Sequence, residues 1–277
     1  MEHGLERLRT GFPLSLRLIR EIHGILMNGA RGDDKTPGEF RRSQNWIGGS
    51  RPGDARFVPP PPQELESALA NLEKFLHFQG AQVPLLIKAG IAHAQFETIH
   101  PFLDGNGRVG RLLITFLLCA EEALSQPLLY LSLYLKTHRD EYYDALQRVR
   151  TEGDWERWLA FYLRGVEVVA LQAADTARKI VHLFETDRRR IRDLGKSAFS
   201  VLCIYDLLKE RAIITAPTAV KRSGLSKPTV SAALGRLEQM GIVHEATGRA
   251  RDRRYVYTQY VDMLGEGPER LGEREQT

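Results

Sequence analysis

Apolar residues recur at a helical period along most of this chain. Leu14, Leu16, Ile19, Ile22 and Ile25 fall on one face between Pro13 and Met27, and Gly29 follows as a stop, so residues 13–27 predict an amphipathic helix. The same period predicts helices over 62–79, 84–98, 108–124, 128–135, 138–151 and 155–192, the last ending in Arg188, Arg189 and Arg190. A stretch rich in Gly, Pro and Asp interrupts the pattern after the first helix. Inside it, residues 45–48 and 55–58 read as short strands around the turn chemistry of residues 49–54, which predicts a β-hairpin. Residues 59–62 are all proline and end the second strand, because proline cannot donate to a ladder.

The pattern changes near residue 195. Leu194, Gly195 and Lys196 form a candidate linker, and shorter helices are predicted over 200–211, 217–223 and 228–240. Ser226 with Pro228 is a good helix start, a capping hydroxyl followed by proline in the first turn. Residues 241–245 and 254–257 read as two strands around a basic Gly/Arg loop. Three helices and a hairpin make a winged helix-turn-helix pattern. The expected fold class is mostly α: a helical core over 1–195, a small winged helix domain over 196–265, and a flexible polar tail over 266–277.

Composition narrows the function classes. No window holds 18 apolar residues in a row, so no transmembrane helix and no membrane partner are expected. The first seven residues carry no apolar signal core, so a cytoplasmic protein is expected. Cys119 and Cys203, the only cysteines, lie in helix-like apolar runs and read as buried thiols rather than a disulfide framework. The formal net charge is +4, but residues 212–258 hold eight Lys or Arg against three acids, a charge of +5, so the remainder sums to −1. A basic module sits on a neutral body.

The chemistry concentrates in residues 100–111, His-Pro-Phe-Leu-Asp-Gly-Asn-Gly-Arg-Val-Gly-Arg. Gly105, Asn106 and Gly107 allow backbone N–H groups to converge on an anion, and the helix that follows points its positive end there. Arg108 and Arg111 stand three apart on that helix and share a face. Two guanidiniums beside an N–H nest describe a polyphosphate site. Asp104 is a single carboxylate at its rim, which suits Mg²⁺ held mainly by phosphate oxygens and water. His100 titrates near neutrality and stands where it can take a proton from a nucleophile. Together these describe a phosphoryl or nucleotidyl transfer site. Phe102 reads as a core anchor, and His93, on the same face as Ala89 and Phe96, as a packed core histidine.

This stretch resembles the Fic motif, HPFx[D/E]GNGRxxR, at every constrained position. Further resemblance lies in Phe40 and Arg41 through Pro60, similar to the family's flap hairpin, in residues 92–99 leading into the motif, and in Tyr142, Tyr143 and residues 152–155 after it. Coverage runs roughly from Pro13 to Leu171. Fic proteins typically transfer AMP from ATP to a protein hydroxyl, so the resemblance implies a protein adenylyltransferase. It implies His100 as general base, Asp104 as the Mg²⁺ carboxylate, and Gly105, Asn106 and Gly107 as the anion hole. It further implies Arg108 and Arg111 on the phosphate chain, and Tyr142 and Tyr143 near the adenosine. The flap, about residues 41–60, would dock an extended target segment by strand addition along Asn45, Trp46, Ile47 and Gly48.

Many Fic proteins carry an inhibitory helix with the pattern [S/T]xxxE[G/N], whose glutamate pairs with the second motif arginine. No Ser or Thr here satisfies it; Thr137 has Glu141 but then Tyr142. Either the chain is a shortened form or the inhibitor is a separate small partner, and self-modification with ATP is expected. The C-terminal module offers DNA as a further partner, through Lys227 and Arg236 on a recognition helix and Arg251, Arg253 and Arg254 on a wing. The rival reading of the whole is a DNA-binding regulator whose Fic core senses nucleotide.

Overall fold

Ser15 opens the helix that the first apolar stripe predicts: its side chain accepts the Leu18 N–H, and helix α2 runs over Leu16–Met27 with Leu18, Ile19, Ile22, His23 and Met27 buried. Helix α1, Glu2–Arg9, precedes it. The computed structural model describes residues 1–29, 35–78, 83–126, 129–249 and 253–269. Two compact units divide them, Met1–Ala170 and Leu171–Thr277.

The first unit is helical. After α2 come α3 (Pro62–Leu76), α4 (Leu85–Ile99), α5 (Asn106–Ala120), α6 (Leu131–Thr137), α7 (Arg139–Glu152) and the first part of α8 (Trp155–Arg192). Helix α4 is its axis. Nine of its residues are buried, on all sides, and it packs on α3, α5 and α7. Small residues permit this. A side chain at Gly90 would stand 2.8 Å from the ring of Tyr162, and the Gly90 carbonyl accepts Trp158 Nε1–H at 3.0 Å. Trp158, Tyr162, Phe96, Phe102 and Phe116 are the largest fully buried side chains of this unit.

The flap is smaller than the predicted hairpin. Its two strands reduce to one antiparallel bridge, Ile47 to Phe57, in which Ile47 N–H donates to Phe57 O at 2.9 Å and Arg56 N–H to Ile47 O at 2.9 Å. Gly48 and Gly49 turn away at φ +71° and +72°, so the first strand ends at Ile47 and Gly48 belongs to the turn. Asp54 closes that turn, accepting Ser50 and Arg51 N–H at 3.0 and 2.7 Å.

The second unit begins earlier than the break at 194–196. That break is a 3-10 turn, Gly195–Ser197, but Leu183 and Ile191 of α8 already belong to this unit's core. Asp187, buried on α8, accepts Tyr257 O–H at 2.6 Å and Arg190 Nη1 at 2.7 Å, which fastens the end of α8 to the domain behind it. The unit continues with α9 (Ala198–Glu210), β1 (Ile213–Thr215), α10 (Ala216–Ser223), α11 (Lys227–Gln239), β2 (His244–Glu245), β3 (Arg254–Val256) and α12 (Thr258–Glu269). The strands form one antiparallel sheet in the order β1-β3-β2, registered by Ile214 opposite Tyr255 and Glu245 opposite Tyr255. Ser226 caps α11 as expected, accepting Thr229 N–H at 3.4 Å.

Strand β1 and helix α12 are additions to the sequence reading. Residues 266–269 lie in α12 rather than in a flexible tail, and residues 270–277 lie outside the described residues. Cys119 and Cys203 are free thiols, partly rather than fully buried. Among the described residues no helix is long and apolar enough to cross a membrane.

Candidate active site

The site forms where α4 ends and α5 begins. Pro101 cannot extend α4, and the residue before a proline is driven off the helical conformation. His100 takes the left-handed one, φ +48° and ψ +61°, a conformation that costs a non-glycine residue roughly 1–2 kcal/mol. Three bonds hold it there. His100 N–H donates to Phe96 O at 2.9 Å, and His100 O accepts Arg41 Nε at 3.0 Å and Asn45 Nδ2 at 3.2 Å.

Arg41 and Asn45 therefore have a role that their place at the flap did not suggest. Arg41 is buried and gives its guanidinium to the carbonyls of His100, Ile99, Ser43 and Pro60. Its own N–H donates to Pro101 O at 2.9 Å. Asn45 reaches past His100 to Phe102 O at 3.0 Å. The stem of the flap is thus bonded to the loop that presents the imidazole.

Burial pushes the His100 imidazole down to about pKa 4, and the Arg150 and Arg41 charges act the same way. The ring is neutral at pH 7 and able to accept a proton. Its Nδ1 is buried without a hydrogen-bond partner.

The loop is built on Phe102 and Asn106. Phe102 is fully buried and stacks on His23, ring centroids 3.7 Å apart and planes within 3°. His23 was not singled out in the sequence. Its Nδ1 accepts Gly38 N–H at 2.8 Å, so Nε2 carries the proton and donates to Asp104 O at 3.0 Å. Asn106 Oδ1 accepts Phe102 N–H and Asn106 Nδ2 donates to Phe102 O, both at 2.8 Å. The Asn106 side chain is therefore committed to loop geometry, and only its backbone can serve an anion.

Gly105, at φ +82°, caps α5, and Val109 N–H makes the first helical bond, to Gly105 O at 3.0 Å. The N–H groups of Asn106, Gly107 and Arg108 have no carbonyl to bond within the helix, as in any first turn. The nest and the helix dipole coincide there. A side chain at Gly105 would meet Met27 Sδ at 2.8 Å and His23 Nε2 at 3.2 Å, which together with its φ restricts the position to glycine.

The two motif arginines diverge. Arg108 leans toward α2, with Nη2 3.0 Å from Met27 Sδ and 3.9 Å from Asp104 Oδ1. Arg111 folds over Gly107, where an added Cβ would stand 3.2 Å from its Nη1 and 3.9 Å from Glu97 Oε1. Glu97 is another residue the sequence did not mark. It is buried, its Oε1 lacks a hydrogen-bond partner, and burial raises its carboxyl to about pKa 7 against the opposing charges of Arg111 and Arg150.

Asp104 is partly exposed at the rim. Among the described residues there is no group of three or more metal-ligating side chains. A single accessible carboxylate beside an N–H nest and two guanidiniums fits a hard cation that arrives with a polyphosphate and takes most of its ligands from phosphate and water.

His93 and Tyr142 belong to the core. His93 donates Nδ1–H to Gly110 O at 2.9 Å, so Nε2 accepts Tyr142 O–H at 2.9 Å, and burial lowers the imidazole to about pKa 4. Tyr142 is buried with its hydroxyl engaged, so it packs α7 into the core. Tyr143 beside it is half-buried, with Arg139 5.5 Å over its ring. In the second unit, Lys227, Arg236, Arg253 and Arg254 are all exposed; Arg251 lies outside the described residues.

Residues 13–118 match the model of the Fic/DOC family. The chain is 38% identical over 149 residues to the protein adenylyltransferase Fic of Aedes aegypti, covering 53% of this chain and 27% of that protein. It is 34% identical to the protein of the same name from Culex quinquefasciatus, with the same coverage, and 28% identical over 179 residues to that of Drosophila yakuba, covering 63% of this chain and 33% of that protein. The chain thus spans between a quarter and a third of the length of these relatives. In fold it is similar to a crystal structure of a Fic family protein from Desulfovibrio desulfuricans G20, with TM-score 0.54 and 21% identity over 92% of this chain and 72% of that one.

Proposed function

We propose that the protein is an adenylyltransferase that moves AMP from ATP to a Ser, Thr or Tyr hydroxyl of a protein and releases pyrophosphate. The observation that carries this reading is the joint geometry at the α4–α5 junction: a neutral imidazole held in a left-handed turn beside the free N–H groups of a helix start. His100 accepts the proton of the incoming hydroxyl as its oxygen attacks the α-phosphorus. The backbone N–H groups of Asn106, Gly107 and Arg108 receive the charge that develops on the phosphate. Arg108 and Arg111 hold the chain of phosphates in line, and the pyrophosphate leaves on the side away from the attacking oxygen. Asp104 would hold Mg²⁺, which neutralises phosphate charge when bound.

The relatives named protein adenylyltransferase Fic support the same reading. So does the flap, whose outward edge at Trp46 offers backbone groups to an extended segment, as strand addition requires. Titration of the protein with ATP, followed by incubation with α-labelled ATP and a cell lysate, tests the proposal. Protein-bound label that requires His100 supports it; bound ATP with no label anywhere refutes it.

A second reading concerns the C-terminal unit, which we take as a winged helix-turn-helix that binds DNA. Helices α9, α10 and α11 followed by β2 and β3 have the order of that module, and the exposed Lys227 and Arg236 lie on α11, the candidate recognition helix. Fluorescence anisotropy with duplex DNA at low salt tests it. The absence of binding there would favour a protein-interaction role.

A further inference from the structure

Arg150 stands outside the motif, in the last turn of α7, and its guanidinium reaches two other elements. Nη2 donates to Glu97 O at 3.0 Å and Nε lies 3.3 Å from Thr98 Oγ1, both on the last turn of α4. The guanidinium carbon also lies 4.2 Å over the ring of Phe57. Phe57 is the flap residue that bridges Ile47, and Glu97 and Thr98 stand three and two residues before His100. One planar cation is bonded by its edge to the helix that ends at the imidazole and by its face to the flap strand.

That contact matters because the outer flap has little else to hold it. Arg41 fastens the stem at Ser43 and Pro60, but beyond the stem the two strands share a single bridge. A two-stranded ribbon of that size is marginal in water. The Phe57 face on Arg150 adds an attachment at the residue opposite Ile47. Burial disfavours the Arg150 charge, and the Glu97 carboxyl beside it works the other way. Lysine cannot reproduce this arrangement, since a point charge cannot present a donor fork and a stacking plane together.

We propose that Arg150 is a positioning residue that fixes the flap strand against the end of α4, so that a segment added along the Trp46 edge brings its hydroxyl to His100. The inference rests on the adenylyl transfer reading and assigns to Arg150 the alignment of the protein substrate, not of ATP. Loss of Arg150 leaves the nest, Asp104, Arg108 and Arg111 in place and lets the strand drift relative to the imidazole.

The test uses the full chain as wild type, Arg150→Met, Arg150→Lys and Phe57→Leu. Three quantities are measured: ATP affinity by calorimetry, amide hydrogen exchange over residues 43–60, and self-labelling with α-labelled ATP at saturating ATP. Arg150→Met and Phe57→Leu should each leave ATP affinity within about twofold, speed flap exchange roughly fivefold, and slow labelling about tenfold, with Arg150→Lys between them and wild type. Unchanged exchange in both Arg150→Met and Phe57→Leu overturns the proposal. So does faster exchange with labelling unaltered, or a loss of ATP affinity as large as the loss of labelling. If the wild type binds ATP and labels nothing, the transfer reading fails, and the exchange arm alone decides whether Arg150 positions the flap.

Discussion

Gly110 occupies an unconstrained position of the motif, and the structure makes replacing it costly. In Gly110→Ala the new methyl would collide with Glu97 Oε1 and stand 3.1 Å from Phe96 Cδ1 and 3.3 Å from His93 Cε1. None of the three can move into solvent, since Phe96 and His93 are 0% exposed and Glu97 5%. His93 is further held by its bonds to Gly110 O and Tyr142. Helix propensity works the other way, because alanine inside a helix is favoured over glycine by about 1 kcal/mol. Overpacking a rigid core costs typically about 1–3 kcal/mol and here exceeds that gain. A net loss of about 1–2 kcal/mol should lower the melting temperature by roughly 2–8 °C for a chain of this size. Differential scanning calorimetry of Gly110→Ala, Glu97→Ala and the double variant reads it. If Glu97 is the obstacle, the double variant should recover about 1 kcal/mol relative to additivity. A melting temperature raised by Gly110→Ala would refute the packing argument and leave propensity as the dominant effect.

Glu97 also gives a pH signature. Its folded carboxyl keeps a proton up to about pH 7, whereas in the unfolded chain it loses it near its ordinary value of 4.5, so it removes stability as pH rises through that window. Urea unfolding of Glu97→Gln against wild type should show an advantage for the variant that grows between those values, by at most about 3 kcal/mol, and is flat above them. Tyr257→Phe should destabilise the second unit by about 1–3 kcal/mol, seen in the same unfolding curves, by removing the hydroxyl that Asp187 accepts at 2.6 Å. Replacing Arg253 and Arg254 by Ala should reduce the slope of log affinity for DNA against log salt by up to about 2, with ATP-dependent labelling unchanged.

The parts of the molecule that were legible in sequence share one property: their signal is local. The motif is contiguous, so His100, the nest and the helix that follows it are read from twelve adjacent residues. Long helices such as α8 announce themselves by period. The Ser226 cap is visible because hydroxyl and proline are two residues apart. What was missed depends on partners far along the chain. His23 reaches Asp104 across 81 positions and Arg41 reaches His100 across 59, and neither distance has a sequence pattern. Strand β1 is three residues long, with Ile213 exposed, and becomes a strand only by pairing with β3 more than thirty-five residues later. Helix α12 passes through Gly265, Gly267 and Pro268, residues that read as a stop. The flap erred in the opposite direction, because its two short β-like stretches suggest more ladder than two consecutive left-handed glycines allow.

The central claim is that His100 serves the incoming hydroxyl while the nest and arginines serve ATP. It is tested most directly by presenting wild type and His100→Ala with α-labelled ATP and, in parallel, γ-labelled ATP, while ATP affinity is measured on both. The account predicts protein-bound α-label from the wild type, no γ-label, loss of transfer in His100→Ala by a factor of at least about 100, and ATP affinity within about twofold. Transfer of the γ-label, or α-label that survives in His100→Ala, would contradict it.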